Sequence, residues 1–215
     1  MLLCFVMSAA GFLSGSVLYS YFLPKWFCRV DVRTLPGDGN PGAHNAIRAA
    51  GVPLGGLCLF LDILKGFAPV FIAALLLHVR GGFLVPVAAA PVLGHAFSPW
   101  VRFRGGKGVA VTFGVLMGLF PVSWILLSLV AAMLLLRFVF VVRPDSDCVA
   151  AAMVLAFLFC LLFEPRFSMR LTLLCVGFVV VFQEVRHPDQ GEHFVQVWHY
   201  RLEREGYRFR LVHIP

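Results

Sequence analysis

Charge is scarce in this chain. Only 13% of its 215 residues are charged while 60% are hydrophobic, and the mean hydropathy is +0.88. Soluble domains carry about twice that share of charge, so a water-soluble enzyme is excluded. Patterned cysteine is missing too. The six cysteines, at 4, 28, 58, 148, 160 and 175, form no CxxC pair and no Cys/His ligand spacing, so neither a structural metal centre nor a disulfide framework is expected, and they read as small apolar fillers. No basic stretch precedes the first apolar run; Lys25 and Arg29 come after it, which is not the pattern of a cleavable signal peptide. No internal repeat is visible, and no serine or cysteine nucleophile stands in a recognisable pairing with a base.

What is present is a series of apolar segments. Residues 2–23, 52–77, 83–99, 122–142, 149–163 and 168–182 each read as a membrane helix, and the run from Gly108 to Phe120 is a shorter one, roughly 20 Å long, that ends at Pro121. The expectation is an all-α integral membrane protein with about seven transmembrane helices, one of them short. A membrane domain over 1–190 would be followed by a tail over 191–215. Basic residues 25, 29, 33, 48, 102, 104, 107, 143, 186, 201, 204, 208 and 210 fall on one side of that topology and only 80, 166 and 170 on the other. The positive-inside rule then places the N-terminus outside and the C-terminus in the cytoplasm of a cell-membrane protein. The net charge of +7 is spread over membrane-flanking loops, which favours anionic lipid or an anionic substrate over nucleic acid.

Polar chemistry is confined to a few islands. The largest is Gly94–Gly108, GHAFSPWVRFRGGKG, in which Arg102, Arg104 and Lys107 sit beside Gly105, Gly106 and Gly108. Glycines let the backbone approach a ligand while N–H groups and cations point at one spot, and the helix resuming after Lys107 adds its positive end, so this is an anion site or a basic loop obeying the positive-inside rule. His95 precedes these cations by about two helical turns and either points toward them or caps a buried hydrogen bond. A second island, PGDGNPGAHN at 36–45 followed by Arg48, holds Gly37, Asp38, Gly39, Asn40, Gly42, His44 and Asn45, and specifies a tight loop that is either a solvated turn or a second anion cradle. Asp62 and Lys65 in LDILKG lie within an apolar span, where charge is expensive and usually functional, and their i,i+3 spacing also allows a structural ion pair. Arg186 and His187 follow the last span. Aromatic residues Trp198, Tyr200, Tyr207 and Phe209 alternate with arginines in the tail, which suits an element lying on an anionic membrane face or a short terminal fold.

In order, SGSVLYSY, GDGNPGAHNAIR, LDILKG, GHAFSPWVRFRGGKGVA and RHPDQ resemble the motifs of the PlsY family from about Ser14 to Gln190. That family transfers a fatty acyl group from acyl phosphate to glycerol 3-phosphate. The resemblance implies that Arg48, Lys107 and His187 hold the acceptor phosphate and carry catalysis. It adds Asn40 and Asn45 to the glycine-rich loop, and Gln190 to the final motif. It also implies no metal, no cofactor, no acyl carrier protein or coenzyme A, and no conventional general base, the substrate's own phosphate helping to deprotonate the attacking hydroxyl. Three positions depart from the family pattern: Asp38 stands for a serine, His44 for a threonine and Gln190 for an asparagine. Asp38 matters most, because an anion replaces a donor to phosphate. Its pairing with Arg48 or His44, a different acceptor, or lost activity would each accommodate it. A transporter or a non-catalytic binder of phosphorylated metabolites is the competing class.

Overall fold

The computed structural model describes residues 1–198, 200–205 and 208–213. Among the described residues eight α-helices run in order: α1 (Leu2–Ser16), α2 (Tyr19–Leu23), α3 (Ala43–Phe71), α4 (Leu84–Ala96), α5 (Val109–Leu119), α6 (Ile125–Leu134), α7 (Asp145–Phe163) and α8 (Phe167–Arg186). Five continuous helical stretches among the described residues are long and apolar enough to cross a membrane: Leu2–Cys28, Ala43–Leu76, Gly81–Val101, Asp145–Phe163 and Phe167–Arg186. Two shorter apolar helices, Val109–Leu119 and Ile125–Val139, complete the bundle. The expected full span over 122–142 is therefore shorter than read, because Phe120–Val122 turn and Phe140 leaves the helix.

Apolar residues occupy both the interior and the outside. Val70, Val87, Val92, Leu116, Leu129, Leu173 and Val176 fill the core, while Phe5, Leu13, Phe60, Leu162, Phe163 and Phe178 face outward. A bundle apolar on its outer face is a multi-pass membrane protein, since lipid replaces water as its solvent. Without a hydrophobic drive between helices, close backbone approach does the packing. α1 lies along α4 and α3 along α5. A Cβ on Gly15 would collide with the Pro91 carbonyl, one on Gly94 with Phe12, and one on Gly114 with the Ile63 carbonyl.

Two breaks in the helices shape the polar interior. The first span leaves helical geometry at Val17 and Leu18, and Ser16 fixes the break: its hydroxyl donates to the Leu13 carbonyl (2.7 Å) and accepts the Trp100 indole N–H (2.9 Å), while its carbonyl accepts the Ser98 hydroxyl (2.7 Å). α3 breaks at Gly51 (φ 77°), so Pro53 occupies the first turn of a new helical segment, where a missing N–H costs nothing. The tight loop also ends earlier than read, since helix begins at Ala43 and takes in His44 and Asn45.

The chain is mostly helical but not all-α. β1 (Val141–Arg143), β2 (Phe194–Val197), β3 (Tyr200–Glu205) and β4 (Arg208–His213) form an antiparallel sheet in the order β1-β2-β3-β4, with Val142 opposite Val195 and Leu202 opposite Leu211. The tail expected to be separate thus pairs with the segment between α6 and α7. Trp198, Tyr200 and Phe209 are exposed on it, and Tyr207 lies outside the described residues.

Candidate active site

α3, α5 and α7 all begin at one end of the bundle, around a cavity of about 850 Å³. Its polar wall takes Gly37, Asp38, Asn40, Gly42, His44, Asn45 and Arg48 from the first loop and the start of α3, and Asp62 from farther along α3. His95 comes from α4, Lys107 and Gly108 from the entry to α5, Arg143 and Ser146 from the entry to α7, and Glu184, Asp189 and Gln190 from the end of α8 and beyond. Leu59, Ile63, Phe113 and Val149 form an apolar wall. Three helix N-termini begin around one space and bring backbone N–H groups and a positive field there, the Ser146 N–H being taken up by Asp189.

Asn40 joins the two glycine-rich islands. Its side-chain carbonyl accepts the Lys107 backbone N–H at 3.1 Å, and its backbone carbonyl accepts the Asn45 amide at 2.9 Å. Gly39 (φ 62°) and Gly108 (φ 82°) sit in the left-handed region that makes these turns possible without strain. Gly105 and Gly106 donate back to the Ala96 and His95 carbonyls, and the Gln183 amide donates to Ala96 and Gly106 from α8. The Arg48 guanidinium donates to the Pro36 carbonyl (2.8 Å) and the Asn45 side-chain oxygen (3.2 Å), which spans the first loop.

Lys107 is the centre of charge. Its ammonium lies 3.0 Å from Asp38, 2.9 Å from Glu184 and 2.7 Å from Asp189, with the side chain 9% exposed. Burial pulls its pKa down, but Asp189, Glu184 and Asp38 more than offset this and hold it above the ordinary lysine value. Asp38 accepts the Asn40 N–H (3.1 Å) and the Asn45 amide (2.9 Å) besides. Burial pushes its carboxyl up, yet these donors and Lys107 keep it below the usual carboxylate value. Asp38 therefore pairs with Lys107, a partner other than the Arg48 or His44 that one of the three open readings gave it: the first loop folds the carboxylate toward α5. Asp189 is held in turn by the Ser146 backbone N–H (2.8 Å) at the start of α7.

Deeper in the bundle, the Asp62–Lys65 pair closes at 2.7 Å with each side chain 2% exposed. Ser20 donates to the other Asp62 oxygen (2.5 Å), and the Lys65 ammonium reaches the Val17 carbonyl (2.6 Å) and His95 Nδ1 (2.9 Å). The break in the first span is what frees the Val17 carbonyl for that bond.

Residues 5–196 match the family described as glycerol-3-phosphate acyltransferase. The chain belongs to the glycerol-3-phosphate acyltransferase family. Proteins of that name from Thermotoga petrophila and Myxococcus xanthus are 50% identical over 115 residues and 44% identical over 120 residues. These alignments cover 53% and 56% of this chain and 56% and 62% of the relatives, so the chain spans little more than half the length of the curated relatives it matches. A crystal structure of PlsY, an integral membrane glycerol 3-phosphate acyltransferase in its glycerol 3-phosphate form, is similar at a TM-score of 0.74 and 29% identity, over 85% of this chain and 88% of that one. The lysophosphatidic acid form of PlsY matches at 0.71 and 27% over the same shares.

Within this acyltransferase fold the residues singled out from sequence do not all reach the cavity. Gly37, Asp38, Asn40, Gly42, His44, Asn45, Arg48, Asp62, His95, Lys107, Gly108 and Gln190 line it. Gly39, Gly105 and Gly106 shape the backbone behind the wall, and Lys65 stands behind His95 and Asp62. Arg102 and Arg104 are exposed and off the cavity. The expectation that three cations converge is corrected: Arg102 and Phe103 turn through positive φ, which carries both arginines outward and only Lys107 inward. His187 comes after α8 without lining the cavity; burial first, then Arg186 and Lys107, lower its pKa below the usual histidine value, against the pull of Asp38. Glu184 and Asp189 escaped the sequence reading. Glu184 is a carboxylate in an apolar span, the signal that singled out Asp62, and Asp189 lies inside RHPDQ itself.

Proposed function

We propose that this chain transfers a fatty acyl group from acyl phosphate to the 1-hydroxyl of glycerol 3-phosphate, forming lysophosphatidate at the cytoplasmic face of the cell membrane. One observation carries the reading: in a member of this family, Lys107, Arg48 and three helix N-termini meet at a cavity whose other wall is apolar. The cations and N–H groups suit two phosphates, and Leu59, Ile63, Phe113 and Val149 suit an acyl chain.

The donor is already activated, so positioning and charge stabilisation can supply the catalysis. The acceptor hydroxyl oxygen attacks the acyl carbonyl carbon. The acyl–oxygen bond to phosphate breaks, phosphate departs with the electron pair, and the hydroxyl proton passes to a phosphate oxygen. Lys107 meets the charge that grows on phosphate, which takes the place of Asp38 or Asp189 at the ammonium. Ser146, the one serine lining the cavity among the described residues, accepts the Asp189 N–H, which fits a reaction without a serine nucleophile. The orientation with the N-terminus outside puts the cavity in the cytoplasm, where thirteen of the basic residues would lie.

A second reading is favoured by the three carboxylates around Lys107: an acceptor with less negative charge than glycerol 3-phosphate. Purified protein in lipid, supplied with palmitoyl phosphate and either glycerol 3-phosphate or glycerol, separates the two. Lysophosphatidate that disappears in Lys107→Ala supports the first reading. Monoacylglycerol from glycerol in its place supports the second, and no product from folded protein removes both.

A further inference from the structure

The buried cluster behind the cavity fixes the proton of one histidine. Lysine has three donors and no acceptor while charged. The Lys65 ammonium meets three acceptors: the Asp62 carboxylate at 2.7 Å, the Val17 carbonyl at 2.6 Å and His95 Nδ1 at 2.9 Å. Asp62 keeps the lysine charged, and Ser20 holds Asp62 from the far side. Nδ1 must then accept, so the ring is neutral and its proton sits on Nε2. His95 lines the cavity, and this nitrogen lies against Gly106, where a Cβ would come within 2.5 Å of it and cover it. Asn40, whose side-chain oxygen would stand 3.0 Å from that same Cβ, and the Lys107 N–H are its neighbours.

We propose that His95 is a catalytic residue that donates its Nε2–H to a substrate oxygen gaining negative charge, and that Lys65, held by Asp62, Ser20 and Val17, is the positioning residue that sets this tautomer. A neutral donor suits the place. It can stabilise an oxyanion without adding a charge that the neighbouring Lys65 would repel. The inference rests on the acyl-transfer reading, while the tautomer stands on geometry alone.

The test joins spectroscopy to kinetics. Full-length protein labelled with 15N-histidine in lipid should give, for His95, a protonated Nε2 and an unprotonated Nδ1, the resonance being assigned by its loss in His95→Gln. A proton found on Nδ1 overturns the proposal. In lysophosphatidate formation, glutamine places an amide N–H near the Nε2 position and asparagine near that of Nδ1. His95→Gln should keep turnover within about tenfold, whereas His95→Asn should lower kcat by about 10²–10³-fold, the cost of one oxyanion donor. Equal losses in both overturn the donor role. Lys65→Met should reduce kcat more than it changes KM and leave His95 as a mixture of tautomers; if it fails to fold, the wild-type spectrum still decides. Should wild-type protein form no product, the acyl-transfer reading fails by itself. The Nε2–H resonance is then followed while inorganic phosphate is added, and an unmoved signal overturns the donor role.

Discussion

Lys65 and Lys107 are both buried lysines beside carboxylates, and they are built for different work. Lys65 has one carboxylate at ion-pair distance and two neutral acceptors, and its side chain is 2% exposed. Lys107 has three carboxylates, is 9% exposed and lines the cavity. A fully buried ion pair inside a membrane protein is scaffold: it is closed off from a ligand and cannot be broken cheaply. A cation surrounded by more negative charge than it can neutralise offers exchangeable partners, and an incoming phosphate can replace one of them. On the acyl-transfer proposal, the difference separates the part of the polar interior that holds shape from the part that would meet substrate.

The largest effect should come from Lys107→Ala, with acyl transfer falling by at least about 10³-fold in protein that keeps its elution and thermal unfolding profiles. Activity surviving that change would put Lys107 on the scaffold side. Lys65→Met should act on stability as well as on turnover. Leaving Asp62 buried without its partner costs about 3–5 kcal/mol, and the double variant Asp62→Asn/Lys65→Met should recover much of this in thermal denaturation. A double variant whose loss equals the sum of the Asp62→Asn and Lys65→Met losses would show that the pair is not coupled.

Asp38→Ser sharpens the comparison from the Lys107 side. Removing one of three competing carboxylates should lower KM for glycerol 3-phosphate by about tenfold with a smaller change in kcat, since about 1.4 kcal/mol is a factor of ten in binding. A raised KM would mean that Asp38 shapes the loop through Asn40 and Asn45 more than it repels phosphate.

The pH dependence of stability has a definite sign at each end. Asp38 titrates below 3.8 in the folded chain, so its contribution is intact above that value and is lost as pH falls through the folded pKa. His187, lowered below 6.5, adds to the acid side, because the unfolded chain takes up its proton first as pH drops below 6.5. Lys107, raised above 10.5, contributes fully below that value and loses its contribution as pH rises through its folded pKa. Thermal unfolding measured across pH should show both limbs, and Asp38→Asn should flatten part of the acid one. The smallest effect belongs to Arg102→Ala and Arg104→Ala. Both side chains lie outside the cavity, so turnover should stay within about threefold, and a loss as large as that of Lys107→Ala would return them to the site.

Much of this was legible in the chain because a membrane makes sequence informative. Charge inside an apolar run is costly enough to mark itself, which is how Asp62 and Lys65 stood out, and glycine clusters marked both loops that meet at Asn40. The same rule applied to α8 would have found Glu184. Helix length was harder to read. The apolar run at 122–142 does not reveal where Phe140 leaves the helix, and β1 is three residues long with no alternation to announce it.

The sequence by itself determined that the chain is a bundle of apolar helices with its polar groups gathered at one end, because burying or exposing each side chain to lipid has a price set by residue type alone. Which of three neighbouring cations turns inward, that Asp38 chooses Lys107 over Arg48, that the tail pairs with the segment before α7, and that the Val17 carbonyl is free to hold Lys65 were decided only by the tertiary structure. These depend on backbone turns and on partners tens of residues away, and no local pattern encodes a distance between segments.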